Sequence, residues 1–112
     1  MNRPEHLFLY EMVKASEQIC WLVETHSADD LRQDRVLSDA LLWNFTVLGE
    51  AAGKLSAQFR EAHPEVPWHR PIGLRNRIVH GYWSVNLDIL VTTAQNDIPD
   101  LIPTLRALLA GS

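Results

Sequence analysis

The sequence predicts an all-α fold: an antiparallel bundle of four to five helices within one domain spanning residues 1–112. Three observations predict it. Apolar residues recur at spacings of three and four along most of the chain, the repeat that lines one face of an α-helix. Alternating patterns of the kind that mark strands are absent, as are internal repeats and low-complexity tracts. Prolines and glycines fall between the periodic stretches, or where a helix would have to bend. An antiparallel bundle is the economical way to bury such stripes.

The first helix is expected from Pro4 to about Thr25, with Phe8, Met12, Ala15, Ile19 and Leu22 on one stripe. Pro4 suits a first turn, where its missing N–H costs nothing. The polar stretch from Ser27 to Arg32 separates this helix from the next. The second, from about Gln33 to Glu61, is the longest, roughly 40 Å at 1.5 Å per residue. One of its seams holds Leu37, Leu41, Asn44, Leu48, Ala51 and Leu55, and another holds Val36, Ala40, Trp43 and Val47. Two stripes imply contacts on two sides, as in a central bundle helix or one that also meets a second subunit. Pro64 and Pro67 close the segment, because a proline disfavours helix in the residue before it. A short helix from about Pro71 to His80 ends at Gly81. The last starts at about Asn86 or Leu87 and aligns Leu87, Leu90, Ala94, Ile98, Leu101, Leu105 and Leu108. Pro99 and Pro103 fall inside that pattern and predict a kink or break near Ile98.

Composition narrows the function. With 46 % apolar and 21 % charged residues the chain is ordinary for a globular domain. Its net charge of −4 excludes a protein that coats nucleic acid non-specifically. Cys20 is the only cysteine, which excludes an internal disulfide and a thiolate metal cage, and its apolar neighbourhood reads as core. No apolar run approaches a membrane span and no signal-peptide core is present, so the expected compartment is the cytoplasm.

Positive charge is nevertheless gathered at one place. Arg70, Arg75, Arg77, His69 and His80 lie between Val66 and Leu87 with no Asp or Glu among them. Asn76 and His80, four apart, share a helix face, whereas Arg75 and His80 stand about 140° apart. This set suits cleavage of RNA by its own 2′-hydroxyl. An imidazole can take or give a proton at neutral pH, in general worth ~10²–10⁴ in rate. A guanidinium can hold the phosphate and stabilise its added charge. No clustered carboxylates are offered to a pair of metal ions, and no cofactor is implied. Each residue also has a structural role open to it: dipole compensation for His80, solvation or pairing with Glu for Arg75 and Arg77, a local cap for Asn76, an interface for Tyr82.

The pattern Arg75-Asn76, four residues from Arg75 to His80, then Tyr82, resembles the signature of the HEPN superfamily, and the chain looks like the HepT toxin ribonucleases of HEPN/MNT toxin–antitoxin systems. The likeness extends over Leu48-Gly49-Glu50-Ala51-Ala52-Gly53-Lys54-Leu55-Ser56, Pro64-Glu65-Val66-Pro67-Trp68 and Gln95-Asn96-Asp97-Ile98-Pro99. The resemblance implies an all-α bundle whose homodimer brings two motifs into one cleft, and metal-independent RNA cleavage with Arg75 and His80 catalytic and Asn76 as polar companion. It implies a partner, a minimal nucleotidyltransferase antitoxin that transfers AMP onto Tyr82, with a larger toxin–antitoxin complex possible on the same grounds. Glu50 matches a polar position of the family and either pairs with Lys54 or braces Arg75 or His80. Arg77 is an extra cation inside the motif, and Gly81 stands where many relatives carry an acidic residue. A non-catalytic HEPN subunit that binds a nucleotide or presents substrate to a separate nucleotidyltransferase is the alternative, and a helical oligomerisation module is a third.

Overall fold

Short polar side chains decide where most helices begin. Each accepts a hydrogen bond from a first-turn amide that the helix leaves unpaired, typically worth ~1 kcal/mol. In the computed structural model, which describes residues 2–81 and 84–111, Asn2 caps α1 (Arg3–Thr25) through the amide of Glu5 at 2.9 Å. Ser27 caps α2 (Ala28–Gln33), Asp34 caps α3 (Arg35–Lys54) and Ser56 caps α4 (Ala57–Ala62) in the same way. After the turn carrying Pro64 and Pro67 comes α5 (His69–Gly81). Asn86 caps α6 (Leu87–Asn96), and Pro99 sits in the first turn of α7 (Ile98–Ala110).

The fold is all-α, as expected, but seven helices are described where four to five were predicted. Caps account for the difference. The polar separator after the first helix is itself helical, because Ser27 accepts from the amide of Asp30 at 3.1 Å and starts α2. The expected long helix stops at Lys54. Leu55 leaves helical geometry at φ −65, ψ 143 and is buried, while the Ser56 hydroxyl accepts from the amide of Phe59 and donates to Glu5, both at 3.0 Å. The anticipated break near Ile98 is present, at Asp97 between α6 and α7, and Pro103 is carried inside α7.

α1 and α3 form the centre of the bundle; α7 packs on α1, α5 on α3, and α6 touches α1, α2, α3 and α7. Leu9, Met12 and Ile19 of α1, Leu41, Phe45 and Leu48 of α3, Leu90 of α6 and Leu105 of α7 are buried in one core. Burial of such a side chain is worth about 1.5–3 kcal/mol. Cys20 and Trp68 are buried with them, and Trp68 donates its ring N–H to the His63 carbonyl at 2.9 Å. Trp21 and Trp43 are exposed instead. Among the described residues no helix is long and apolar enough to cross a membrane.

Candidate active site on the fifth helix

The position of α5 depends on a missing side chain. α5 lies across α3 at Gly49, where a Cβ would overlap the Cβ of Arg75 and the carbonyl oxygen of Pro71. Only glycine lets the two backbones approach this closely. Gly53, one turn further, faces Ile72 with ordinary spacing, 4.0 Å from the place of its own Cβ. Gly49 therefore sets the closeness at which the cationic helix is laid down, and Gly53 takes no part in that constraint.

That close approach seats Arg75. Its side chain is partly buried, 29 % exposed, and its Nη2 lies 2.9 Å from Glu50 Oε2. The other carboxylate oxygen, Glu50 Oε1, stands 3.5 Å from the amine of Lys54. Both roles open to Glu50 in the sequence are thus realised together. Arg75 also donates from Nη1 to Asn76 Oδ1 at 3.0 Å, and its Nε is buried without a hydrogen-bond partner. A guanidinium so held has lost most of its rotamer freedom before any ligand arrives, which lowers the entropic cost of gripping a phosphate.

The remaining motif residues point away from the core. Taking about 100° per residue, His69, Gly73, Asn76 and His80 fall within roughly 60° of arc on the outward face of α5. Asn76, Arg77 and His80 are all exposed. Arg77 faces solvent rather than the Arg75–Glu50 pair. The structure joins Arg75, Asn76 and Glu50 directly; it leaves His80 further along the helix, on the flank opposite the seat of Arg75. The divergence expected from their spacing persists in the single chain. α5 extends to Gly81, whose carbonyl accepts from the Ser84 hydroxyl at 2.8 Å. Tyr82, the expected site of AMP attachment, and Trp83 lie outside the described residues. Asn44, placed by the sequence in the leucine seam, turns back on its own helix and donates to the Ala40 carbonyl at 2.8 Å. Among the described residues no group of three or more His, Cys, Asp and Glu side chains is arranged to hold a metal ion.

Sequence reasoning missed Gly49. Its signal was present: a glycine inside a helix is unfavourable unless something must come close.

Comparison with known proteins assigns the chain to a family. The family model described as ribonuclease HepT-like matches residues 12–108. A protein of Caldanaerobacter subterraneus subsp. tengcongensis, designated a candidate RNase, is 31 % identical over 102 residues, covering 91 % of each chain. A protein of Thermococcus cleftensis, designated a candidate ribonuclease HepT, is 28 % identical over 90 % of this chain and 92 % of its own. A candidate RNase of Methanocaldococcus jannaschii is 24 % identical over 89 % of this chain and 92 % of its own. No solved structure matches significantly. With the family model spanning most of the chain, including the whole of α5 and its seat on α3, the chain belongs to the HepT-like ribonuclease family of the HEPN superfamily.

Proposed function

We propose that the protein is a metal-independent endoribonuclease toxin that works as a homodimer and is silenced when a minimal nucleotidyltransferase antitoxin attaches AMP to Tyr82. The observation that carries this reading is the seating of Arg75, fixed by Glu50 and by the close approach at Gly49, beside Asn76 and on the helix whose last turn carries His80. Arg75 holds the scissile phosphate and stabilises the charge that grows on it. The 2′-oxygen of the preceding ribose attacks phosphorus as its proton passes to an imidazole. The bond from phosphorus to the 5′-oxygen breaks, and that oxygen takes a proton from a protonated imidazole, leaving a 2′,3′-cyclic phosphate and a 5′-hydroxyl.

A dimer supplies two imidazoles for these two proton transfers and removes the need for one chain to converge its own Arg75 and His80. The outward face of α3 supports it. Val36 is 76 % and Trp43 66 % exposed, with Ala40 and Val47 half-buried between and beyond them. At about 100° per residue, these four share a face roughly 80° wide with Glu50 and Lys54. The apolar stripe thus runs straight to the Arg75 pair, and a two-fold contact along it would carry two such pairs toward one cleft. AMP attachment suits the same site. Tyr82 stands two residues after His80, and a phosphodiester there adds negative charge and bulk where an RNA phosphate has to enter. An assembly of dimer and antitoxin follows from the same contact.

The test is RNA cleavage in EDTA by the wild type and by Arg75→Ala and His80→Ala proteins of unchanged melting temperature. Cleavage by the wild type alone, from a particle of twice the chain mass in light scattering, is the expected result. Equal cutting by all three proteins would reject the site. Protein co-expressed with its antitoxin is expected to carry an AMP-sized mass increment on Tyr82, and its absence would reject the modification.

A further inference from the structure

We propose that the groove between α4 and α5 is a second RNA subsite, one that holds the single strand leading to the cleaved linkage; it rests on the ribonuclease reading above and extends it. The groove has a volume of about 460 Å³, and Arg60, Glu61, Trp68, His69, Ile72 and Gly73 are among the residues that line it. Trp68 and Ile72 supply an apolar floor, while Arg60 and His69 supply cationic rims.

Three observations on different residues lead to this. The first is Gly73. Nothing lies within 4 Å of where its Cβ would be, so no contact inside the chain requires a glycine. A glycine inside a helix costs about 1 kcal/mol relative to alanine. A residue that weakens the helix and relieves no internal crowding marks a place where something from outside approaches the backbone. The second is charge. Arg32, Arg35, Lys54, Arg75 and Arg106 each pair with a carboxylate. Five basic residues, Arg3, Lys14, Arg60, Arg70 and Arg77, form no ion pair among the described residues, and of these Arg60 lines the groove. In a chain with 14 acidic and 10 basic residues, a groove bordered by an unpaired arginine and an imidazole, against the single carboxylate of Glu61, is complementary to a polyanion.

The third is continuity. His69, Gly73, Asn76 and His80 lie along one line of α5, and Ile72 stands on the flank that also carries Arg75 and Val79. From Gly73 to His80 is roughly 10 Å along the helix axis, a span of a nucleotide or two of single strand. A strand whose reacting phosphate is at Arg75 and His80 would pass over Asn76 and Gly73 and enter the groove. Arg60 would meet a phosphate there, and a base would lie against Ile72 and Trp68. Glu61 narrows the cationic rim and leaves Arg60 as its main anchor.

The test measures initial rates of cleavage of pooled tRNA in EDTA, over a range of RNA and salt concentrations, for the wild type, Arg60→Ala, Arg60→Lys and Gly73→Gln. Arg60→Ala is expected to raise KM roughly tenfold with kcat near the wild-type value, the loss associated with one charge-assisted phosphate contact. Its log–log salt slope is expected to fall by about 0.7, the contribution of one phosphate on single-stranded nucleic acid. Arg60→Lys should recover most of the KM, and Gly73→Gln should raise KM while stabilising the helix against heat. Unchanged KM and salt slope in Arg60→Ala and Gly73→Gln, with wild-type cleavage intact, would overturn the subsite and spare the ribonuclease. Dissociation of the dimer by either substitution would assign the groove to a contact between copies and likewise overturn the proposal. No cleavage by the wild type would strike the ribonuclease reading itself.

Discussion

Gly49→Ala is the smallest change that should disable the site without touching a motif residue. The added methyl would come closer than 3.0 Å to the Cβ of Arg75 and to the Pro71 carbonyl oxygen, and 3.1 Å from the Arg75 Cγ. Neither of the nearest two atoms can rotate away. α5 must therefore lift from α3 by a displacement on the order of 1 Å, enough to cost ~10²-fold in rate where reacting groups are misplaced. Overpacking of this kind costs ~1–3 kcal/mol, and relief by rotamer change is closed here, so the upper value applies. Replacing a helical glycine by alanine returns about 1 kcal/mol. The net loss is about 2 kcal/mol, or a melting temperature lower by roughly 8 °C in a domain of this size. Gly53→Ala is the matched control, since its Cβ would meet only Ile72 at 4.0 Å; it should melt slightly higher than the wild type, by ~0.4–1 kcal/mol. Calorimetry and RNA cleavage on the three proteins decide the matter. If Gly49→Ala melts at or above the wild type and cuts RNA at the same rate, the crossing does not position Arg75 and the account of the site is wrong.

Three further outcomes follow from the same coordinates. Glu50→Gln should lower kcat several-fold while shifting stability by less than ~1 kcal/mol, because the Glu50 side chain is 43 % exposed and the pair is screened; an unaltered kcat would deny Glu50 a positioning role. Ser16 is fully buried in α1 and its hydroxyl has no hydrogen-bond partner, so Ser16→Ala should be neutral or stabilising by up to ~1 kcal/mol in denaturant unfolding, and a clear destabilisation would contradict that. Burial, and then the charge of Glu24, push the Cys20 thiol up from its ordinary range. Less of it is thiolate at pH 8 in the folded protein than in the unfolded chain, so alkylation should be slow natively and fast in denaturant, and equal rates would place the thiol at the surface.

The helical class was legible because a 3.6-residue repeat reports directly which face is buried. The stripe from Phe8 to Leu22 and the break near Ile98 are both found where the pattern put them. What the pattern did not show was that capping competes with periodicity. Leu55 continues the apolar spacing of α3, yet Ser56 offers its hydroxyl to the amide of Phe59 and to Glu5, a residue 51 positions away. That second contact exists only once α1 and α4 have met, so no local window of sequence contains it. The candidate site divides in the same manner. Asn76 and His80 on one exposed face could be read from a spacing of four. The seat of Arg75 could not, because it is made by a crossing of two helices and by the absence of a side chain at Gly49.

This division bears on how the helix does its work. The inward side of α5 is used to fix one cation against a carboxylate, while the outward side carries exposed groups, of which Asn76 reaches back to Arg75. A guanidinium paired with Glu50 keeps its place but gives up part of its positive potential to the carboxylate. Lys54, 3.5 Å from the same carboxylate, returns some of it, since Glu50 then divides one negative charge between two cations. The trio Lys54, Glu50 and Arg75 carries a net single positive charge, half-shielded from water and held at the end of an apolar stripe on α3. Such a charge is weak as a non-specific attractor of polyanions, in keeping with an acidic chain, and strong as a fixed point for a single phosphate that has already been delivered. On the proposed reading, delivery falls to Arg60 across the α4–α5 groove, where contacts are individually small and sensitive to salt. On the same reading, chemistry falls to Arg75 on one flank of α5 and His80 on its outward face, while Arg60 across the groove serves binding, so Glu50→Gln should act on kcat and Arg60→Ala on KM.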